Sequence, residues 1–299
     1  MKIIVLGCAA GGGSPQWNCR CVICAAAWSG DPRVRRRTQA SIAVSADDEN
    51  WCLLNCSPDI REQIDAVEAL QPQRNVRHSP INHVILTNAD IDHIGGLLTL
   101  REGHRFSIHA TGDTLDVLSR NPVFDVLAAN TVSRHCLEID AEQQIADGLT
   151  VQCFMVPGKL PLYLEGDAPD TTLKSGNTVG VKISSGAKSF YYIPGCAELD
   201  GDTRARITKA ALVFFDGTLW TDDEMIVSGT GSKTGRRMGH MPVGGDGGSL
   251  SVLTRLGIGK LIYTHMNNTN PMLLDGSEQH RAVIAAGAEV GYDGLEISL

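Results

Sequence analysis

The sequence predicts an α/β fold in which strands and helices interleave along the whole chain. Three observations predict it. Short β-branched segments bounded by turns recur from one end of the 299 residues to the other. Segments with helical periodicity fall between them. Hydrophobic residues make up 42% of the chain, enough for a substantial core, yet no apolar run approaches the ~20 residues that span a bilayer.

In chain order the expected strands are Ile3–Leu6, Ser41–Val44, Cys52–Leu54, His83–Leu86, Phe106–His109, Val151–Val156, Thr178–Ile183, Phe190–Ile193, Leu212–Phe215 and Leu261–Thr264. Most are rich in Val, Ile or aromatic residues, and each is too short for a helix. Helical spacing of apolar residues appears at Ile60–Leu70, Asp113–Ser119, Leu250–Leu256 and Ser277–Ala286. Asp59 and Ser277 stand where an N-cap side chain would accept from the first turn. Leu160–Gly176, rich in Pro, Asp, Gly and Thr, reads as a long loop, either a lid over a site or a plain surface excursion.

Composition narrows the function classes. The formal charge is −8, so the surface repels nucleic acid unless a local basic patch intervenes. Arg33–Arg37 is the one dense basic run, open to reading as a solvated loop or an anion-binding lip. The apolar start Met1–Leu6 is shorter than a secretory h-region, which makes a cytoplasmic location without membrane insertion the expectation. Nine cysteines in such a chain point to thiols or metal ligands rather than disulfides. Thirty-two glycines cluster at tight turns and at places where backbone approaches a ligand, with Gly95–Gly96 and Gly229–Gly239 prominent. The second run lacks Walker spacing, so nucleotide binding is not expected.

Two clusters carry chemistry. Cys19, Cys21 and Cys24 place three thiols within six residues, close enough to share one tetrahedral ion, and zinc accepts thiolates at ~2.3 Å in closed structural sites. A fourth ligand must come from elsewhere. Of the other six cysteines, Cys8, Cys52, Cys56, Cys136 and Cys153 sit in or beside apolar strands and read as small buried hydrophobes. After the His83–Leu86 strand, Asn88, Asp90 and Asp92 alternate and His93 follows directly, with Gly95–Gly96 turning the chain. Carboxylates and an imidazole gathered past a strand end suit a divalent metal with mixed oxygen and nitrogen ligands.

The turn Thr87–Leu97 resembles the metal-binding turn of the metallo-β-lactamase superfamily, His-x-His-x-Asp-His followed by Gly-Gly-Leu. Leu53–Asp59, Tyr192–Cys196, Met238–His240 and Leu261–His265 resemble its other landmarks in the expected order. Asn88 and Asp90 replace the first two histidines, Cys196 replaces the bridging aspartate, and Val151–Pro157 holds no histidine. The resemblance therefore implies an αββα four-layer sandwich whose dinuclear hydrolytic centre is reduced to Asp92, His93 and His265. Two histidines and a carboxylate resemble the facial triad of non-haem iron(II) oxygenases.

Closer strings resemble the pyrroloquinoline quinone (PQQ) biosynthesis protein B family: Gly7–Gly13 with Pro15–Cys19, Arg37–Val44, Leu97–Gly103, Asp216–Trp220 and His265–Pro271. The resemblance covers residues 1–299 and implies one domain with an N-terminal zinc knuckle at 19–24. It implies an iron-dependent hydroxylation of the tyrosine-derived part of a Glu–Tyr-derived PQQ precursor, in contact with other proteins of that pathway. A carrier of PQQ or its precursor, towards periplasmic transport, and a residual metallo-hydrolase are the competing readings. Within the first, Asp92, His93 and His265 would hold Fe²⁺, with Zn²⁺ an alternative occupant in crystals, and Asp90 and His240 would act as acid or base. Asn88 would orient a water or cap its turn, and Cys196 would be a soft ligand or a packed thiol. Arg101, Lys233, Arg236 and Arg237, with Asn267 and Asn270, would meet substrate carboxylates. A related phosphodiesterase branch completes a similar knuckle with a histidine where Asn268 stands, which leaves open whether His265 is drawn to the thiols instead.

Overall fold

The computed structural model describes residues 1–146, 148–166 and 170–299. Among the described residues fourteen strands form in chain order: β1 Lys2–Gly7, β2 Ser41–Ser45, β3 Trp51–Leu54, β4 Ile81–Ile85, β5 Phe106–Ala110, β6 Val132–Cys136, β7 Glu142–Ala146, β8 Leu149–Pro157, β9 Lys174–Ser185, β10 Lys188–Ile193, β11 Leu212–Asp216, β12 Lys260–Thr264, β13 Ala288–Val290 and β14 Glu296–Ser298. They make two seven-stranded sheets. One has the order β14-β1-β2-β3-β4-β5-β6 and the other β13-β12-β11-β10-β9-β8-β7.

The period of two along each strand feeds two cores from one segment. Ile3, Val5, Cys52 and Leu54 face the space between the sheets with Val151, Cys153, Val181 and Phe190. Ile4, Leu6, Trp51 and Leu53 point the other way and pack with Ile60, Leu97, Val117 and Leu118. Ile60 lies on the helix Ile60–Ala66, and Val117 and Leu118 lie on the helix Gly112–Arg120. Leu212–Asp216 is buried at every position, as expected of a parallel strand covered on both faces. Helices Gly201–Ile207, Ser249–Leu253 and Glu278–Ala285 contribute Ile207, Leu253 and Val283 to the core on the second sheet. The result is four layers, helix, sheet, sheet, helix. Each fully buried Leu, Ile or Phe contributes roughly 1.5–3 kcal/mol of burial free energy.

All ten expected strands are present, most extended by a residue or two. Four strands were not expected. β6 reads Val-Ser-Arg-His-Cys and β7 Glu-Gln-Gln-Ile-Ala, edge segments whose outward polarity hides the pattern. β13 and β14 have three residues each. The predicted helices at 60–70 and 250–256 each end as a 3₁₀ turn. Ser277 accepts from the His280 N–H as a cap should, but the Asp59 carboxylate does not cap its helix. It accepts from the Gln39 N–H and Nε2 instead, both at 2.9 Å.

β9 starts at Lys174, inside the predicted loop Leu160–Gly176, and Leu162–Leu164 forms a single 3₁₀ turn. Residues 167–169 of that stretch lie outside the described residues. Cys136 is exposed, contrary to the buried reading, because it sits on the edge strand. The basic run is not an open lip. Arg37 is buried and donates to Gly291 O, Arg33 pairs with Asp31, and Arg35 and Arg36 lie over the Tyr292 and Trp28 rings. Among the described residues no helix is long and apolar enough to cross a membrane.

Candidate metal centre

Parallel strands place the centre. β3 to β6 run parallel in one sheet and β10 to β12 in the other, so their C-terminal ends present loops at one rim. β4 delivers the turn that carries Asp90, Asp92 and His93, β11 delivers Asp216, and β12 delivers His265. Asn55 ties the sheets together there. Its side-chain amide donates to Thr87 Oγ1 at 3.0 Å and to Tyr192 Oη at 3.4 Å.

Gly96 lets the turn close. A Cβ there would lie 2.1 Å from Ser57 O and 2.9 Å from Cys56 O. The close approach seats His93 against the end of β3, with Cys56 N–H donating to His93 O at 2.7 Å.

Asp92, His93 and His265 converge with their ligand atoms within 4.8 Å of one another. Asp92 Oδ2 lies 3.0 Å from His265 Nε2 and 3.7 Å from His93 Nε2. His93 is buried, and its Nε2 has no hydrogen-bond partner. Burial pushes its pKa down to about 4, so the ring is neutral at pH 7. At Asp92 burial alone would raise the carboxyl pKa, but the two neighbouring imidazoles hold it below the usual range. His265 is raised by Asp92 against the opposing effect of burial. A neutral buried ring nitrogen aimed at a carboxylate and a second imidazole is a donor set that fits a cation.

A second set of groups lies alongside. Asp216, fully buried, receives His240 Nδ1 at 2.7 Å, and its other oxygen accepts from Thr218 Oγ1 at 2.6 Å. Thr218 Oγ1 also lies 2.9 Å from His265 Nδ1 and 3.1 Å from His240 Nδ1. Having given its proton to Asp216, this hydroxyl accepts at its lone pairs, which keeps the Nδ1 protons on the two rings. The rings of His240 and His265 stack with centroids 5.1 Å apart. Asp216, His240 and His265 also satisfy a metal-sized spacing. Sequence reading gave Asp216 no role. A lone carboxylate closing the run Leu-Val-Phe-Phe-Asp was the signal available.

These groups line a cavity of about 450 Å³, which Asp90, Asp92, His240, His265, Lys159, Lys233 and Asn267 share. Burial pushes Asp90 up, with Lys159 working against it. Other expected residues are not brought here. Arg101 bonds Leu98 O and pairs with Glu102 on the surface, because its turn points away from the rim. Arg236 is exposed outside the lining. Asn270 is buried, caps the 3₁₀ turn Pro271–Leu273 and donates to Gly217 O, so its polar groups are committed to backbone. Cys196 is buried with its thiol toward Glu198 O, away from the cavity. Asn88 bonds His93 rather than the cavity.

The three thiols of Cys19, Cys21 and Cys24 lie within 4.8 Å of one another. Asn268 closes the group. Its amide nitrogen is 3.1 Å from Cys19 Sγ and 3.2 Å from Cys24 Sγ, and its backbone oxygen is 3.4 Å from Cys21 Sγ. Burial pushes Cys21 up to about 12. At Cys19 hydrogen bonds, led by the Cys21 N–H, outweigh burial and lower the thiol. His265 stays with Asp92 and is not drawn to the thiols.

Fold and donors together define the class. The chain matches the family model described as "Beta-lactamase superfamily domain" over residues 50–266. A relative from Methylobacterium nodulans, "Coenzyme PQQ synthesis protein B", is 51% identical over 299 residues, all of both chains. Another of that name from Rhizobium meliloti is 52% identical, covering all of this chain and 98% of the relative. The crystal structure of Zn²⁺-bound PqqB from Methylobacterium extorquens superposes with a TM-score of 0.98 at 50% identity over the full length of both. A diphosphatase of the PhnP family shares the fold, with a TM-score of 0.72 at 20% identity over 99% of this chain and 96% of that one. The chain belongs to the coenzyme PQQ synthesis protein B family, within the β-lactamase superfamily.

Proposed function

We propose that the chain acts in PQQ biosynthesis as a metal-dependent hydroxylase of the tyrosine-derived part of a peptide-derived precursor, with Asp92, His93 and His265 holding iron(II). One observation carries the reading. A carboxylate and two imidazoles meet at one point, one imidazole offers a buried nitrogen with no partner, and Asn88, Asp90 and Cys196 stand where the superfamily's hydrolytic ligands would. Iron bound there supplies activation of O₂. The relatives' name, coenzyme PQQ synthesis protein B, supports the pathway.

The chain's own residues orient and move protons. Asn88 holds the His93 ring, and Thr218 holds His265. Asp216 keeps a proton on Nδ1 of His240, so the opposite nitrogen is the one that exchanges protons with substrate. Asp90, with its pKa raised by burial, is the second proton-holding group on the cavity wall. Lys233 and Asn267 meet the polar periphery of the precursor. Cys19, Cys21 and Cys24 hold a structural zinc, and the Asn268 side-chain amide donates to the Cys19 and Cys24 sulfurs.

The test is anaerobic loading with ferrous iron and precursor, followed by O₂ and mass spectrometry. A gain of one oxygen atom is expected, and it disappears in His93→Ala. Tight binding of PQQ or precursor with no O₂ consumed would make the chain a carrier. Cleavage of a model phosphodiester would make it a hydrolase.

A further inference from the structure

On the wall of the same cavity, three cations surround one carboxylate. Glu165 contacts Lys159 Nζ, lies 2.9 Å from Arg237 Nη1 and 3.5 Å from Lys233 Nζ, and its side chain is only 4% exposed. Burial would raise this carboxyl, but Lys159 and Arg237 hold it below its ordinary value, so it is charged. The polarity of the segment is also inverted. Leu162 and Leu164 are 61% and 47% exposed while the carboxylate beside them is buried, the reverse of ordinary partitioning. The cations therefore hold the carboxylate in the seat; the leucines around it bury little.

The seat is fixed relative to the metal cluster. Leu162 N–H donates to Asp90 Oδ1 at 3.3 Å, and Tyr163 Oη donates to Ala89 O at 2.7 Å, both on the metal-binding turn. Lys159 lies close enough to act on Asp90 as well as on Glu165.

We propose that Glu165 is an intramolecular stand-in for a substrate carboxylate, and that Lys159, Lys233 and Arg237 form the seat which a polycarboxylate ligand takes by displacing it. This rests on the reading of the cavity as the site for a PQQ-like polycarboxylate, and it adds the cationic side of that site. Arg237 supplies planar donors suited to carboxylate, and the two lysines supply charge.

The probes are PQQ, a tricarboxylate, and its trimethyl ester, titrated calorimetrically without iron or O₂. Glu165→Gln keeps the shape of the side chain and removes the competing charge. It is expected to tighten PQQ binding about tenfold and to leave the ester unchanged. Unchanged or weakened PQQ binding by folded Glu165→Gln, or equal tightening of acid and ester, overturns the proposal. Should that variant not fold, Lys233→Gln decides. Loss of about tenfold in PQQ affinity with ester binding unchanged supports the seat, and equal effects on both, or none, overturn it. Failure of the hydroxylation assay leaves these affinities standing, so the two readings fail separately.

Discussion

Asn88 fixes the ring of His93. The Asp90 N–H donates to Asn88 Oδ1 at 3.0 Å, which identifies that atom as the oxygen, and His93 Nδ1 lies 2.7 Å from the same oxygen. Nδ1 must therefore carry the proton, and the lone pair of Nε2 faces Asp92 and His265.

Asn88→Ala is expected to weaken iron(II) binding at the Asp92, His93 and His265 cluster by about 10–100-fold, the usual effect of losing a group that orients a ligand. Asn88→Asp keeps the acceptor and should lose much less. Metal titration of both variants decides it. Equal affinities for wild type and Asn88→Ala would show that the ring needs no partner.

The two metal sites should separate under chelation. The cluster offers one carboxylate and two imidazoles, whereas the knuckle offers three thiolates, which hold zinc more firmly in a closed structural site. Mild chelation is expected to strip the cluster first and leave about one thiolate-bound zinc per chain. Cys24→Ser should lose that zinc and lower the unfolding temperature. Elemental analysis and thermal unfolding read both, and simultaneous loss of the two metals in the wild type would contradict it.

Gly96→Ala tests the closure of the metal turn. The added methyl meets backbone oxygens that cannot move aside cheaply. A cost of roughly 1–3 kcal/mol is expected, as for overpacking in a core, together with weaker metal binding. Gly103→Ala is a useful contrast: nothing lies near its Cβ, so only its positive φ of 84° acts. A smaller loss in Gly96→Ala than in Gly103→Ala would discount the close approach.

Asp293 gives stability a pH dependence remote from either metal site. Burial raises its pKa to about 6, although Thr38 donates to it through both N–H and Oγ1. The folded chain therefore holds a proton that the unfolded chain has already released above its ordinary carboxylate value. The contribution of Asp293 to stability falls as pH rises from about 4 to about 6 and levels off beyond. Asp293→Asn should flatten that segment of the urea-midpoint profile. An unaltered slope would assign it to other groups.

Much of this was legible in the sequence because local patterns carry it. Short apolar runs bounded by turns marked the buried strands, and the run from Asn88 to Gly96 marked the turn holding Asp92 and His93. His265 could be paired with them only through resemblance, since 172 residues separate it from His93. Asp216 and Glu165 were not legible. Each is an ordinary carboxylate in its own segment and gains meaning only when parallel strands or a loop bring it against His240 or Lys159. Arg101, conversely, looked well placed in sequence, but the backbone of its turn directs it to solvent. Edge strands β6 and β7 escaped notice because water, not packing, selects their outward residues.

His265 takes a left-handed φ of 54°, and Asn268 follows it by three residues in a stretch, 264–270, that is buried throughout. One short, strained ribbon thus serves both the knuckle and the cavity. A change at Cys19, Cys21 or Cys24 therefore pulls on the far end of the segment that seats His265, and the two clusters are coupled through backbone.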